Sequence, residues 1–184
     1  MEHSSPSFKN YLLIDVDLTD SVTPAEIVEF VALLVDGETL IEKRRFHHII
    51  GPTKNMTLLA TKPRLKETMR LFESWLNWIK VHCSDENEFA VVTWGDDIDV
   101  LLYEKCEQSD AQLPAFLHAW IDIQELHRRH RRSERSLSLG KIINAYGLEK
   151  HNDDYPALDR CRDMIDVLRK LTNSGQIIEY TNFS

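Results

Sequence analysis

The sequence predicts one α/β domain built on a mixed β-sheet. Three observations carry that prediction. Short apolar runs that read as strands are interleaved with amphipathic stretches that read as helices, in the order βββαβαβαα. No internal repeat or linker interrupts them, and 184 residues suit a single compact core. Residues 1–10 read as a polar leader and residues 11–184 as the domain.

The elements follow in order. Tyr11 to Val16 (YLLIDV) is a short apolar run that ends in acid, as a buried strand does when it delivers polar side chains at its tip. Ala25 to Val35 (AEIVEFVALLV) is a second strand, and Asp36-Gly37 turns the chain into Thr39 to Ile50, because an Asp-Gly pair between β-prone runs is a strong hairpin signal. The three strands are expected to be antiparallel neighbours. From Arg64 to His82, Leu65, Met69, Phe72, Trp75, Leu76 and Ile79 recur at three- and four-residue steps, which predicts a helix with one apolar face. Phe89 to Thr93 (FAVVT) is a fourth strand, a helix follows through Leu101 and Cys106, and Ala119 to Ile123 (AWIDI) is a fifth strand. Helices over Leu137 to Tyr146 and Ala157 to Leu171 complete the chain.

Composition narrows the function classes. The chain carries 22 Lys plus Arg against 30 Asp plus Glu, a net charge of −8, which argues against coating nucleic acid by bulk charge and leaves local handling open. Cys83, Cys106 and Cys161 are odd in number and show no zinc-ligand spacing, so they read as reduced thiols of a cytoplasmic protein. No apolar stretch approaches the ~20 residues of a membrane span.

Aspartates gather at strand and helix ends: Asp15 and Asp17 after the first strand, Asp96, Asp97 and Asp99 after the fourth, Asp159 and Asp163 on the last helix. Converging carboxylates cannot all remain ionised without cations, which points to a divalent metal. Helix caps and solvated loop charges are the plainer alternative.

The succession IDVD, PAEIVEFVALLVDGETL, FHHIIGP, VVTWGDDIDVLL, AWIDIQEL, SLGKIINAYGLE and YPALDRCRDM resembles the DEDD 3′→5′ exonucleases of the histidine-bearing subgroup (DEDDh), in particular the branch that trims RNA ends. The resemblance runs from Tyr11 to Leu171. It implies a ribonuclease-H-like three-layer domain, with a mixed five-stranded sheet flanked by helices. It also implies four carboxylates holding two Mg²⁺ or Mn²⁺ ions at a phosphodiester. The first motif, Asp-x-Glu in the family, is Asp15-Val16-Asp17 here, with both side chains on one strand face and a shorter reach at Asp17. Asp97 matches the second-motif ligand, with Asp99 as the fallback.

The third motif, His-x-Ala-x-x-Asp-Ala in the family, is Tyr155-Pro156-Ala157-Leu158-Asp159-Arg160-Cys161. Tyr155 therefore stands at the general base and Arg160 at the last metal ligand. A phenol with a pKa near ~10 is a poor base at neutral pH, and a guanidinium cannot ligate a metal. Arg160 is expected to pair with Asp15 or Asp17 in a metal's place. The resemblance thus implies an exonuclease-like nucleic-acid-processing protein, weakly active or inactive, with its Mg²⁺ or Mn²⁺ requirement weakened or lost along with the motif. The alternative is an active exonuclease on RNA or single-stranded DNA that uses Asp163 or Asp159 as the last ligand and His151 as the base.

Other segments offer weaker signals. His127 to Ser136 (HRRHRRSERS) holds Arg128, Arg129, Arg131, Arg132 and Arg135 against one glutamate, and reads either as a phosphate-tracking patch or as a solvated face. Tyr155 reads as a packed side chain or as a stacking platform for a base. Trp75, Trp78, Trp94 and Trp120 read as core. His47 and His48 point to opposite strand faces and cannot jointly chelate. The family's Thr-Gly-Ile after the third strand is replaced by NMTLLATKP. A partner is expected to be RNA, single-stranded DNA or another protein, with no membrane.

Overall fold

The computed structural model describes residues 8–19, 23–51, 62–82, 88–95, 98–115, 119–132, 135–152 and 155–183. The strands are β1 (Asn10–Leu18), β2 (Ile27–Asp36), β3 (Glu42–Ile49), β4 (Phe89–Thr93), β5 (Ala119–Asp122) and β6 (Asn182–Phe183). The helices are α1 (Leu65–His82), α2 (Ile98–Gln108), α3 (Ile123–Arg131), α4 (Leu139–Ala145) and α5 (Pro156–Asn173). The sheet order is β3-β2-β1-β4-β5-β6. β1, β4 and β5 run parallel, and β2, β3 and β6 are antiparallel to their neighbours.

Side-chain alternation along β1 divides the core in two. Leu12, Ile14 and Val16 pack with α1 and α2 on one face; Tyr11 and Leu13 pack with α3, α4 and α5 on the other. This is the expected three-layer arrangement around five strands, and the two-residue β6 extends it at the β5 edge. Within the described residues, no helix is long and apolar enough to cross a membrane.

Two local expectations change. The fifth strand stops at Asp122 rather than Ile123, because the Asp122 side chain accepts a hydrogen bond from Gln124 N and caps a further helix, α3. The β2–β3 connection is longer than a two-residue Asp-Gly turn. Asp36 Oδ1 accepts from Glu38 N at 3.1 Å and Thr39 N at 2.8 Å, and β3 begins at Glu42. Gly37 serves a close approach instead: its N–H donates to Lys9 O at 2.8 Å, and a Cβ there would lie 1.9 Å from Phe8 O.

Three of the tryptophans pack as expected, Trp120 within the α1/α2-side core and Trp75 and Trp94 against the two cores. Trp78 differs: it is 46% exposed, and the Arg44 guanidinium lies 5.8 Å from its ring centre. Cys106 and Cys161 are free, buried thiols, and burial pushes Cys106 up to about 11. Cys83 lies outside the described residues.

Candidate functional site: an arginine among strand-end carboxylates

The alternation that gives β1 its two apolar faces places Asp15 and Asp17 on the α5 side, beyond the last core residue of that face. Asp17 pairs with Glu29 and Asp15 with Val31 in the β1–β2 register, so three carboxylates share one patch of sheet. They lie at the carboxyl end of the parallel strands, where open α/β sheets bind ligands.

Arg160, on the second turn of α5, projects into this patch. Its Nε donates to Asp15 Oδ2 at 2.5 Å, its Nη2 to Val16 O at 2.7 Å, and Nη1 and Nη2 each to Asp17 Oδ1 at 3.3 Å. Burial pushes the Asp15 carboxyl up to about 6, and the Arg160 charge offsets only part of that rise.

Glu29 was not singled out in the sequence, yet it anchors the helix that carries Arg160. It is buried, and its carboxylate accepts from Ala157 N at 2.9 Å and Leu158 N at 3.3 Å, two of the unpaired donors at the start of α5. His47 Nε2 lies 3.0 Å from Glu29 Oε1, and the His47 ring meets Tyr155 edge to face at 4.9 Å. His48 stacks on Phe46 on the opposite face, as alternation requires. The only hint of Glu29 in the sequence is an acid inside an apolar strand. Its partners come from elements 128 residues away, which no local pattern reveals.

The remaining ligand positions are dispersed. Asp97 lies outside the described residues, as does the segment replacing Thr-Gly-Ile up to residue 61. The fallback, Asp99, is the second residue of α2, and its Oδ1 is enclosed without a hydrogen-bond partner. Asp159 is buried with Arg162 Nη1 at 3.6 Å. Asp163 is 1% exposed, and its Oδ1 accepts from His151 N at 3.0 Å and faces His151 Nδ1 at 2.9 Å. The two substitutes considered for the base and the last ligand are thus engaged with each other. Asp122 links the neighbouring strand ends, since its Oδ1 also accepts from Gly95 N at 2.8 Å.

The guanidinium takes one carboxylate oxygen of Asp15 and one of Asp17, and a permanent cation between them opposes a divalent ion there, so the described residues do not fit a metal. No group of three or more His, Cys, Asp or Glu side chains among the described residues is placed to hold one.

The basic segment is also repositioned. Arg128, Arg129 and Arg131 lie on α3 and Arg132 caps it, while Arg135 follows in the loop. Glu125 accepts from Arg128 Nε at 2.6 Å and Arg129 Nε at 2.7 Å, and those hydrogen bonds hold its carboxyl down to about 2 despite partial burial. Arg131 lies over the Tyr146 ring at 5.5 Å. His130 contacts Gln176 at 3.1 Å, just past the carboxyl end of α5, whereas Arg160 is near its amino end. At ~1.5 Å of rise per residue, Arg160 and the last residue of α5 are about 20 Å apart. The carboxyl end of α3, with Arg131 and Arg132, is thus at the other end of α5 from Arg160.

No family model matches the chain. The nuclease domain of 3′hExo, a DEDDh family member bound to rAMP, superposes with a TM-score of 0.82 at 17% identity, covering 98% of this chain and 100% of that one. The fold is that of the DEDDh nucleases. Sequence relatives agree with it. An exonuclease domain-containing protein of Arabidopsis thaliana is 23% identical over 201 residues, covering 96% of this chain and 58% of its own length. The 3′-5′ exonuclease Snipper of Drosophila melanogaster is 23% identical over 182 residues, covering 85% of this chain and 64% of its own length. The chain thus spans less than two thirds of these curated relatives.

Proposed function

We propose that this is a nucleic-acid-processing protein of the DEDDh exonuclease type in which metal-dependent hydrolysis is weak or lost, with Arg160 as the resident cation. The contact that carries this reading is Arg160 Nε to Asp15 Oδ2 at 2.5 Å. A guanidinium compensates the carboxylates as an ion would, but it has no open coordination position and cannot activate water. Tyr155, at the base position, presents a phenol where the family pattern has an imidazole. The alternative active enzyme finds little support in the geometry, because Asp163 is buried against His151 and Asp159 lies against Arg162.

The kinship with exonuclease-domain proteins and the fold shared with a rAMP-bound nuclease domain support single-stranded RNA or DNA as the ligand class. The test is end-labelled RNA and single-stranded DNA incubated with Mg²⁺ or Mn²⁺. Cleavage is expected at the level of the Asp15→Ala variant. Metal-dependent cleavage that disappears in Asp15→Ala would overturn the reading.

A further inference from the structure

An open groove of about 810 Å³ lies between the edge strand β3 and the amino end of α5, beside the arginine-filled site. Arg45, His47, Lys62, Tyr155 and Arg162 are among its described lining side chains, which include three cations and two imidazoles. Two of these cations are also ion-paired. Glu42 binds Arg45 from the strand through two 2.8 Å hydrogen bonds, Asp159 meets Arg162 from within the helix, and Glu29 is buried behind His47. The first amides of α5 are already committed to Glu29, and the Arg160 guanidinium to Asp15 and Asp17. An anion in the groove would thus be held by side chains and not by the helix start.

We infer that this groove, and not the α3 arginine cluster, binds the phosphodiester backbone of single-stranded nucleic acid, with Tyr155 as a stacking surface for a base. The inference rests on the nucleic-acid reading above and adds the path of the strand. Three features select this ligand. The groove is open to solvent, as a polymer requires. Its cations are spaced along a strand edge and a facing helix. Tyr155 is 43% exposed at its rim, positioned by its edge-to-face contact with His47. Backbone cations with an aromatic stacking surface form the usual combination for sequence-tolerant single-strand binding. The α3 segment differs in place: at His130 it meets Gln176, past the carboxyl end of α5.

The test is fluorescence anisotropy with labelled oligo(rA) and oligo(dA) across a salt series, on the wild type, Arg45→Gln/Lys62→Gln, Tyr155→Ala and Arg131→Gln/Arg132→Gln. The groove double variant should lose affinity about tenfold or more, with a salt slope smaller by about 1 to 2. Tyr155→Ala should lose about fivefold or more without a change in slope. The α3 double variant should stay within about twofold of wild type. Oligonucleotide binding that survives both groove variants, or that is lost only in the α3 variant, would overturn the groove and leave the nucleic-acid reading standing. No oligonucleotide binding by the wild type at low salt would overturn both, and preferential binding of poly-glutamate would assign the groove to an acidic protein partner instead.

Discussion

Asp15 sets the chemistry of the strand-end site at the scale of single residues. An acid whose native pKa lies above its unfolded value holds extra protons in the fold. Asp15, raised from 3.8 to about 6, therefore favours the folded state at low pH, and that contribution is lost as the pH rises through 6. Arg160 is the main influence pulling Asp15 back down, so Arg160→Met should move its midpoint above 6. The same variant should lose about 1–3 kcal/mol at pH 8, a buried-pair cost reduced for the partial exposure of the guanidinium. The loss should be smaller at pH 5, where Asp15 is largely protonated. Carboxyl NMR titration with urea melts at both pH values checks this; equal losses at pH 5 and pH 8 would contradict it.

At the scale of elements, α5 is the structure on which the site depends. Its apolar face, with Leu158, Cys161, Met164, Val167, Leu168 and Leu171 buried, docks it on the sheet. Glu29 then fixes its amino end and, with it, the position of Arg160 one turn further along. Glu29→Ala leaves two amide donors buried without their acceptor and should cost about 2–4 kcal/mol, whereas Glu29→Gln, which keeps a carbonyl oxygen, should cost about 1. Chemical denaturation measures both, and a loss below about 1 kcal/mol for the alanine variant would remove Glu29 from this role. The helix was legible in the sequence from its apolar period. Its anchor was not, because a helix start carries no record of a carboxylate 128 residues earlier.

At the scale of the whole molecule, the site is a meeting of β1, β2 and α5, and its charge balance decides what it can bind. With Arg160 in place, millimolar Mg²⁺ or Mn²⁺ should raise the wild-type Tm by less than about 1 °C, since only a ligand that binds the native state stabilises it. Arg160→Asp restores a fourth carboxylate and should gain several degrees with Mn²⁺, at about 2–4 °C per kcal/mol of linkage. A wild-type rise of that size, absent in Asp15→Ala, would place a metal where the arginine is read to stand. The order of the elements other than α3 and β6 was legible in the sequence, because period-2 and period-3.6 patterns and turn residues act over a few positions. So was the placement of Asp15 and Asp17 on one strand face, which follows from their spacing. Only the tertiary structure decided that Arg160 reaches both aspartates, that Asp163 meets His151, that α3 ends beside the carboxyl end of α5, and that Glu29 and His47 lie beneath the start of α5. Those facts depend on strand register and helix docking, which join residues far apart in the chain through contacts with no local signature.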